Sequence, residues 1–240
     1  MTESRVEDKY IVYADQIAYL KTRLKDIMEI DSHSRNGSYL IRSVYFDDMY
    51  DTALSENLAG VDERIKVRIR SYNNDGSFIR LEEKSKHNGY TQKNAVRVSG
   101  DVVRGLLSKP SMQEAPVASL FLKGEKKILC KRLYANMNLR LMHPVTIVEY
   151  ERYAFTEKAG NVRITFDENI GASSEVGRFF EKDIHTIPTM ETGAHVMEVK
   201  YDELLPDYIK QIIDTGSLQR CAFSKYTYAR MIKEEIGEIL

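Results

Sequence analysis

Residues 64–70 read Arg64-Ile65-Lys66-Val67-Arg68-Ile69-Arg70, with every second side chain cationic and the ones between β-branched. Along an extended strand, successive side chains point to opposite faces. The run therefore predicts a strand with four positive charges on one face and Ile65, Val67 and Ile69 on the other. The apolar face requires a core, which fixes the strand in a sheet. The cationic face is harder to place, because like charges repel at cross-strand spacing unless anions or carboxylates lie opposite. Alternation of this kind is most often the wet face of an antiparallel sheet.

The rest of the chain repeats the pattern too often for that. Arg80, Glu82, Lys84 and Lys86 share a face in 79–86, and Thr91, Lys93, Ala95 and Arg97 share one in 91–98. Arg5, Glu7 and Lys9 share a face near the start while Val6, Tyr10 and Val12 mostly share the other; Arg163, Thr165 and Asp167 alternate with apolar residues, as do Glu198 and Lys200 later. A solvated sheet would carry more Thr, Ser and Gln and less Arg. Strands that turn charged faces to a common interior match the pattern better, as in a barrel with a polar lumen. The expected class is α+β: an antiparallel β-barrel (tunnel fold) with a charged lumen and helices packed outside. Such a lumen calls for a ligand of high negative charge.

Composition narrows the classes. The 240 residues, 42% hydrophobic and 30% charged, suffice for a sizeable core, and no linker or repeat divides them, so a single domain over 1–240 is expected. The formal net charge of −1 favours a focused internal field over the broad basic footprint of a nucleic-acid binder. Cys130 and Cys221 lack CxxC spacing, which gives neither a disulfide framework nor a zinc site. No signal-like segment and no run of about 20 apolar residues is present, which makes the cytoplasm the default location.

A pass along the chain places strands at 4–13, 39–47, 62–72, 77–86, 91–98, 137–142, 144–156, 161–168 and 194–201. Helices are expected from Asp15, with Ile17, Leu20, Leu24 and Ile27 at helical spacing, at 206–214 and at 224–238. Asn73-Asn74-Asp75-Gly76 signals a hairpin, and Ala159-Gly160-Asn161 a turn. Residues 50–58 read as a short helix or turn. The stretch 99–136 reads as a mostly helical insertion broken at Pro110 and Pro116.

One ordered set of motifs stands out: Glu7-x-Lys9, Arg64-x-Lys66-x-Arg68-x-Arg70, Glu82-x-Lys84-x-Lys86, Tyr150-x-Arg152-x-Ala154-Phe155, Arg163-x-Thr165-x-Asp167, Glu198-x-Lys200 and Phe223-Ser224-Lys225-Tyr226. In this order, over nearly the whole chain, the set resembles the VTC domain. That is the polyphosphate polymerase domain of the vacuolar transporter chaperone family, within the triphosphate tunnel metalloenzymes.

The resemblance implies a barrel with a basic tunnel in which Lys9, Arg68, Arg70, Lys84, Lys93, Arg152 and Arg163 grip triphosphate or polyphosphate oxygens. It implies further phosphate contacts at Lys66, Lys86 and Lys200, and at Ser224 and Lys225, where a helix N-terminus faces the anion. Glu198 would hold a divalent metal, Mn²⁺ or Mg²⁺. Glu7 reads either as a second metal contact or as a salt-bridge partner of Lys9, and Glu82 as a metal contact or as a partner of neighbouring cations. Arg64 and Lys66 read as rim residues.

Two departures from the wider superfamily matter. Arg5 stands where tunnel triphosphatases and cyclases open with the first Glu of Glu-x-Glu-x-Lys, and Glu198-x-Lys200 replaces a carboxylate pair. Fewer metal-binding carboxylates favour a phosphate acceptor over activated water. The expected activity is a metal-dependent phosphotransferase that passes the γ-phosphate of ATP or another nucleoside triphosphate to a growing polyphosphate chain. A tunnel-type triphosphatase and a non-catalytic sensor of polyphosphate or inositol phosphates are the alternatives. No nucleic-acid partner is expected. The chain offers no membrane segment of its own and leaves room for a membrane partner protein.

The remaining polar candidates read as structural. His33, His87, His143, His185 and His195 lack metal-ligand spacing, and Tyr10, Tyr45, Tyr150 and Tyr153 read as packing. The last helix is expected to dock through Tyr228, Met231, Ile232 and Ile236.

Overall fold

The computed structural model describes residues 5–34, 36–108 and 128–237. In chain order the elements are β1 (Val6–Tyr13), α1 (Ala14–Lys25), β2 (Glu29–Ile30), β3 (Tyr39–Asp47), α2 (Thr52–Leu58), β4 (Arg64–Tyr72), β5 (Asp75–His87) and β6 (Tyr90–Val98). They continue with α3 (Gly100–Ser108), α4 (Ile128–Leu139), β7 (His143–Glu157), β8 (Val162–Ser173), β9 (Ile187–Pro188), β10 (Ala194–Tyr201), α5 (Asp207–Ile213), β11 (Gln219–Arg220) and α6 (Lys225–Gly237). The class is α+β. The strands form a large antiparallel sheet in the order β11-β1-β10-β8-β7-β3-β4-β5-β6, with β2 beside β7 and β9 beside β8. Among the described residues this path is open, and its end strands β11 and β6 do not pair.

Contacts divide the chain into two compact units. The first holds the described residues up to 40, with 150–170 and 188–224; the second holds 41–149, 171–187 and 225 onward.

In the first unit, β1, β8 and β10 each put apolar side chains on one face. Val12, Val162, Ile164, Phe166, Met197 and Val199 pack there with Phe155 of β7. Helix α1 covers them because Ile17, Leu20 and Leu24 recur at i, i+3 and i+7, a stripe that faces the sheet. Ile209 and Ile213 of α5 complete the cluster. The helix begins where Gln16 Oε1 accepts from the Tyr13 backbone N–H at 2.9 Å. It stops at Lys25, short of Ile27, which packs on the cluster from beyond the helix. Gly160 turns β7 into β8 at φ +69°, and a Cβ there would lie 2.8 Å from the Leu204 carbonyl.

In the second unit the same division recurs. Val67 and Ile69 of β4 and Ile79 and Leu81 of β5 lie under Val102, Val103 and Leu106 of α3 and Leu129, Leu133 and Met137 of α4. Ile69, Ile79 and Leu81 are fully buried, each worth roughly 1.5–3 kcal/mol relative to an exposed side chain. Helices thus cover the apolar face of β4 and β5, except that Ile65, expected on that face, lies near the strand's start and is 49% exposed. Asn73 and Asn74 adopt φ +51° and +54°, the left-handed pair of a two-residue type I′ turn. A second such turn at Asn88-Gly89, φ +51° and +78°, joins β5 to β6. It is an Asn-Gly signal that the sequence reading passed over.

Two expectations need correction. No strand occupies 137–142: α4 runs on to Leu139 because Leu129, Leu133 and Met137 form a helical stripe onto the sheet, and β7 starts only at His143. The last helix buries Tyr226, Ala229 and Arg230, whereas Tyr228 and Met231 are each 41% exposed. Its buried face is held by polar bonds, which a search for apolar periodicity does not weigh. The side chain of Ile236, and the breaks expected at Pro110 and Pro116, lie outside the described residues.

Candidate functional site

The second unit carries a dense basic face. In the β4–β5–β6 register, Arg64 pairs with Lys86, Lys66 with Lys84 and Lys93, Arg68 with Glu82, and Arg70 with Arg80 and Arg97. Those rows put nine basic side chains on one face (Arg64, Lys66, Arg68, Arg70, Arg80, Lys84, Lys86, Lys93 and Arg97) with one acid, Glu82. Cross-strand neighbours of like charge are destabilising, so this face is built at an energetic cost.

Glu82 is the counterweight. It is 2% exposed. Its Oε2 accepts from Arg68 Nε at 2.9 Å, its Oε1 lies 2.9 Å from Lys93 Nζ, and Arg70 stands 3.9 Å away. Burial opposes its charge, but Arg68, Arg70 and Lys93 outweigh that and hold its carboxyl well below the ordinary value. The Lys93 pKa is lowered as well, which for an ammonium disfavours the charge. Burial, reinforced by Arg68 and Arg70, exceeds the pull of Glu82 and lowers the ammonium to about 8. Glu82 thus stands between Arg68, Arg70 and Lys93.

Next to Arg68, the end of β3 and the start of α6 lock together. Asp47 Oδ1 and Oδ2 accept from the Ala53 and Leu54 backbone N–H groups at 2.9 and 3.0 Å, and Tyr226 O–H donates to Oδ2 at 2.5 Å. Arg230 reaches Asp51 at 2.8 Å. This network fixes the start of α6, where Lys225 is the first helical residue, and Ser224 precedes it. Lys225 is 8% exposed and close enough to Tyr45 to stabilise its phenolate.

The first unit presents the second charged face. Lys9 pairs with Glu198 and Glu7 with Lys200 across β1–β10; Lys200 pairs with Arg163 and Glu198 with Thr165 across β10–β8. Lys200 Nζ lies 3.0 Å from Glu198 and 3.8 Å from Glu7. Lys9 Nζ lies 3.4 Å from Glu7 and donates to the Phe223 carbonyl at 2.8 Å. Arg163 contacts Asp31 and the Tyr39 hydroxyl, each at 3.2 Å. Arg152, named from the sequence as a phosphate grip, gives both arms of its guanidinium to Asp167, at 2.5 and 2.6 Å, and stands 3.9 Å from Glu198.

The site residues named from the sequence thus fall into two groups. Lys66, Arg68, Arg70, Lys84, Lys86, Lys93 and Lys225 lie in the second unit; Glu7, Lys9, Arg152, Arg163, Glu198, Lys200 and Ser224 lie in the first. Sequence reasoning passed over Tyr45, Asp47 and Thr165 as site residues. Ser43-x-Tyr45-x-Asp47 is itself a polar alternation, and that signal would have placed Tyr45 beside Arg68. The histidines find separate partners: His33 at Asp31, His87 at Glu63, and His195, which accepts from the Asn169 backbone N–H.

Among the described residues no cluster of three or more His, Cys, Asp or Glu is arranged to cage a metal. Glu198 and Glu7 nevertheless gather positive charge between them, as Lys200 shows. Across from Glu198, the buried Thr165 Oγ1 has no hydrogen-bond partner. One or two carboxylates completed by substrate phosphates is the way Mg²⁺-like ions are usually held. The residues therefore fit a substrate-assisted ion.

Comparison with known proteins bears on what these faces serve. The sequence profile of the VTC domain matches residues 4–232. No curated protein matches the chain. Among solved structures, a Bacillus halodurans protein provisionally named an adenylate cyclase is similar at TM-score 0.53 and 13% identity, over 92% of this chain and 94% of that one. A Vibrio parahaemolyticus protein with the same provisional name aligns at TM-score 0.50 and 12% identity, over 95% and 98% of the two chains. At such identities the likeness is one of fold. No helix among the described residues is long and apolar enough to cross a membrane.

Proposed function

The chain belongs to the VTC domain family, and from that premise we propose that it is a polyphosphate polymerase acting in the cytoplasm. It would pass the γ-phosphate of ATP or a related nucleoside triphosphate to a growing polyphosphate chain. The observation that carries this reading is the face of β4, β5 and β6, with its nine basic side chains around the single Glu82. A run of linked phosphates, each bearing negative charge, is the ligand that relieves such repulsion along its whole length. The closed barrel with a basic tunnel implied by the resemblance stays part of the proposal.

Phosphoryl transfer asks a protein mainly for positioning and for stabilisation of charge on the transferred group. Arg68 and Arg70 supply rigid forks suited to phosphate oxygens, and Lys66, Lys84, Lys86 and Lys93 supply point charges along the row. Lys225, held by the α6 anchor, and Ser224 add contacts at a helix start. In the first unit, Lys9, Lys200 and Arg163 are further phosphate contacts. Arg152 acts there mainly by fixing Asp167. Glu198 and Glu7 would hold Mn²⁺ or Mg²⁺, which would supply positive charge against the substrate phosphates. An acceptor phosphate is already anionic near neutral pH, so no strong general base is required. Arg5 and Lys200 stand where two-metal tunnel enzymes carry further carboxylates, and fewer metal-binding carboxylates disfavour activated water.

Product analysis tests the reading. Purified protein with ATP and Mn²⁺ should yield a polymer ladder on gels and a mid-chain phosphate resonance in ³¹P NMR. Orthophosphate as the sole product would make it a triphosphatase, and binding without turnover would make it a sensor.

A further inference from the structure

We propose that Tyr45 is a substrate-contacting donor of the basic face, giving its phenolic proton to a polyphosphate oxygen while accepting from Arg68. This role rests on the anion-binding function given above to that face. The β3–β4 register sets Tyr45 opposite Arg68 on the polar side, and the side chain is 5% exposed. Arg68 Nη1 donates to its hydroxyl at 3.0 Å. Its ring stacks on Tyr226 at 5.2 Å between centroids, with 26° between planes. Tyr226 is in turn fixed by its bond to Asp47. The hydroxyl is therefore clamped in place by two elements, β4 and α6.

A phenol oxygen that accepts a hydrogen bond keeps its own hydrogen to donate. Around this oxygen stand Arg68 and Arg70 of β4 and Lys225 of α6, with Tyr226 stacked behind; Glu82 of β5 lies on the far side of Arg68, between it and Lys93 of β6. Burial raises the phenol's pKa, but these cations outweigh it and bring the pKa below the ordinary 10.0. An anionic oxygen drawn to the same cations is the natural acceptor for the proton. Hydrogen bonds to charged partners are the stronger class.

Binding of inorganic tripolyphosphate, followed by calorimetry from pH 7 to 10, tests this in wild type, Tyr45→Phe and Tyr226→Phe. Tyr45→Phe should bind roughly ten- to a hundred-fold more weakly at pH 7, the worth of one hydrogen bond to a charged group. That ratio should shrink as pH rises through the lowered phenol pKa, because the phenolate has no proton to give. A residue that merely positions Arg68 would accept even better as phenolate, and the ratio would not shrink. Tyr226→Phe keeps the stack and the Tyr45 hydroxyl, so it should show the wild-type pH trend. Equal binding by wild type and Tyr45→Phe, or a ratio constant with pH, overturns the role of Tyr45. Wild type that fails to bind tripolyphosphate overturns the anion-binding reading itself. A tyrosinate absorbance titration of ligand-free wild type against Tyr45→Phe is independent of that reading, and it should show one phenol ionising below pH 10.

Discussion

Arg152 and Asp167 face each other across β7 and β8 with two parallel hydrogen bonds, at 2.5 and 2.6 Å, and both side chains are almost fully buried. Removing one partner of such a pair leaves the other as an uncompensated buried charge, typically at about 3–5 kcal/mol. Asp167→Asn should therefore lose stability on that scale in urea unfolding; a loss under 1 kcal/mol, the usual worth of an exposed pair, would mean that the pair is not buried in solution. The same reasoning makes Arg152→Ala an ambiguous probe of function, since it disturbs folding as well.

The central acid sets a pH window. Arg68, Arg70 and Lys93 hold the Glu82 carboxyl below its ordinary 4.5 in the fold. A carboxyl depressed in the folded state contributes stability above its unfolded pKa and loses it as pH falls toward the folded one. Wild type should lose stability below about pH 4.5 more steeply than Glu82→Gln, which should start out less stable at neutral pH. Parallel acid-unfolding curves would remove Glu82 from this role.

Lys93 gives a window with the opposite chemistry. Its pKa of about 8 in the fold lies below the ordinary 10.5. Between those values the unfolded chain holds more protons, so rising pH favours the fold through this residue. Below about 8 both states are protonated and the penalty is complete. Relative to Lys93→Met, wild type should gain stability from pH 8 to 10 in urea titrations. Equal slopes for the two proteins would contradict the shift.

Much of this was legible before the coordinates. The alternation in β4 named both of its faces, because a period of two has only one structural reading when β-branched residues fill every other position. Alternation also marks β10, where Val196, Glu198 and Lys200 interleave with Met197, Val199 and Tyr201. Which charges pair across a hairpin was not legible. Arg152 looks like any other cation in the sequence, and only the pairing of β7 with β8 brings Asp167 to it. The docking face of α6 was hidden because Arg230 is buried through ion pairs, and hydrophobic periodicity assigns an arginine to water. Tyr45 reads as packing when tyrosines are weighed only for base recognition; the polar alternation Ser43-x-Tyr45-x-Asp47 is the signal that sets it beside Arg68.

Lys84 is the cleaner probe of function. It sits between Lys66 and Lys93 in the register and is exposed. Truncating it removes one charge from a row of like charges, which should leave folding intact or improve it. Turnover of ATP should fall by roughly a hundred-fold or more, if the lysine stabilises charge in the manner of a single preorganised catalytic donor. A wild-type rate in Lys84→Ala would take this row out of the site.

The most direct test follows the γ-phosphate itself. Protein incubated with Mn²⁺ and ATP labelled at the γ-position should place the label in a polymer ladder, with one ADP formed for each phosphate incorporated. Label recovered only as orthophosphate, with ADP in equal amount, would contradict the account.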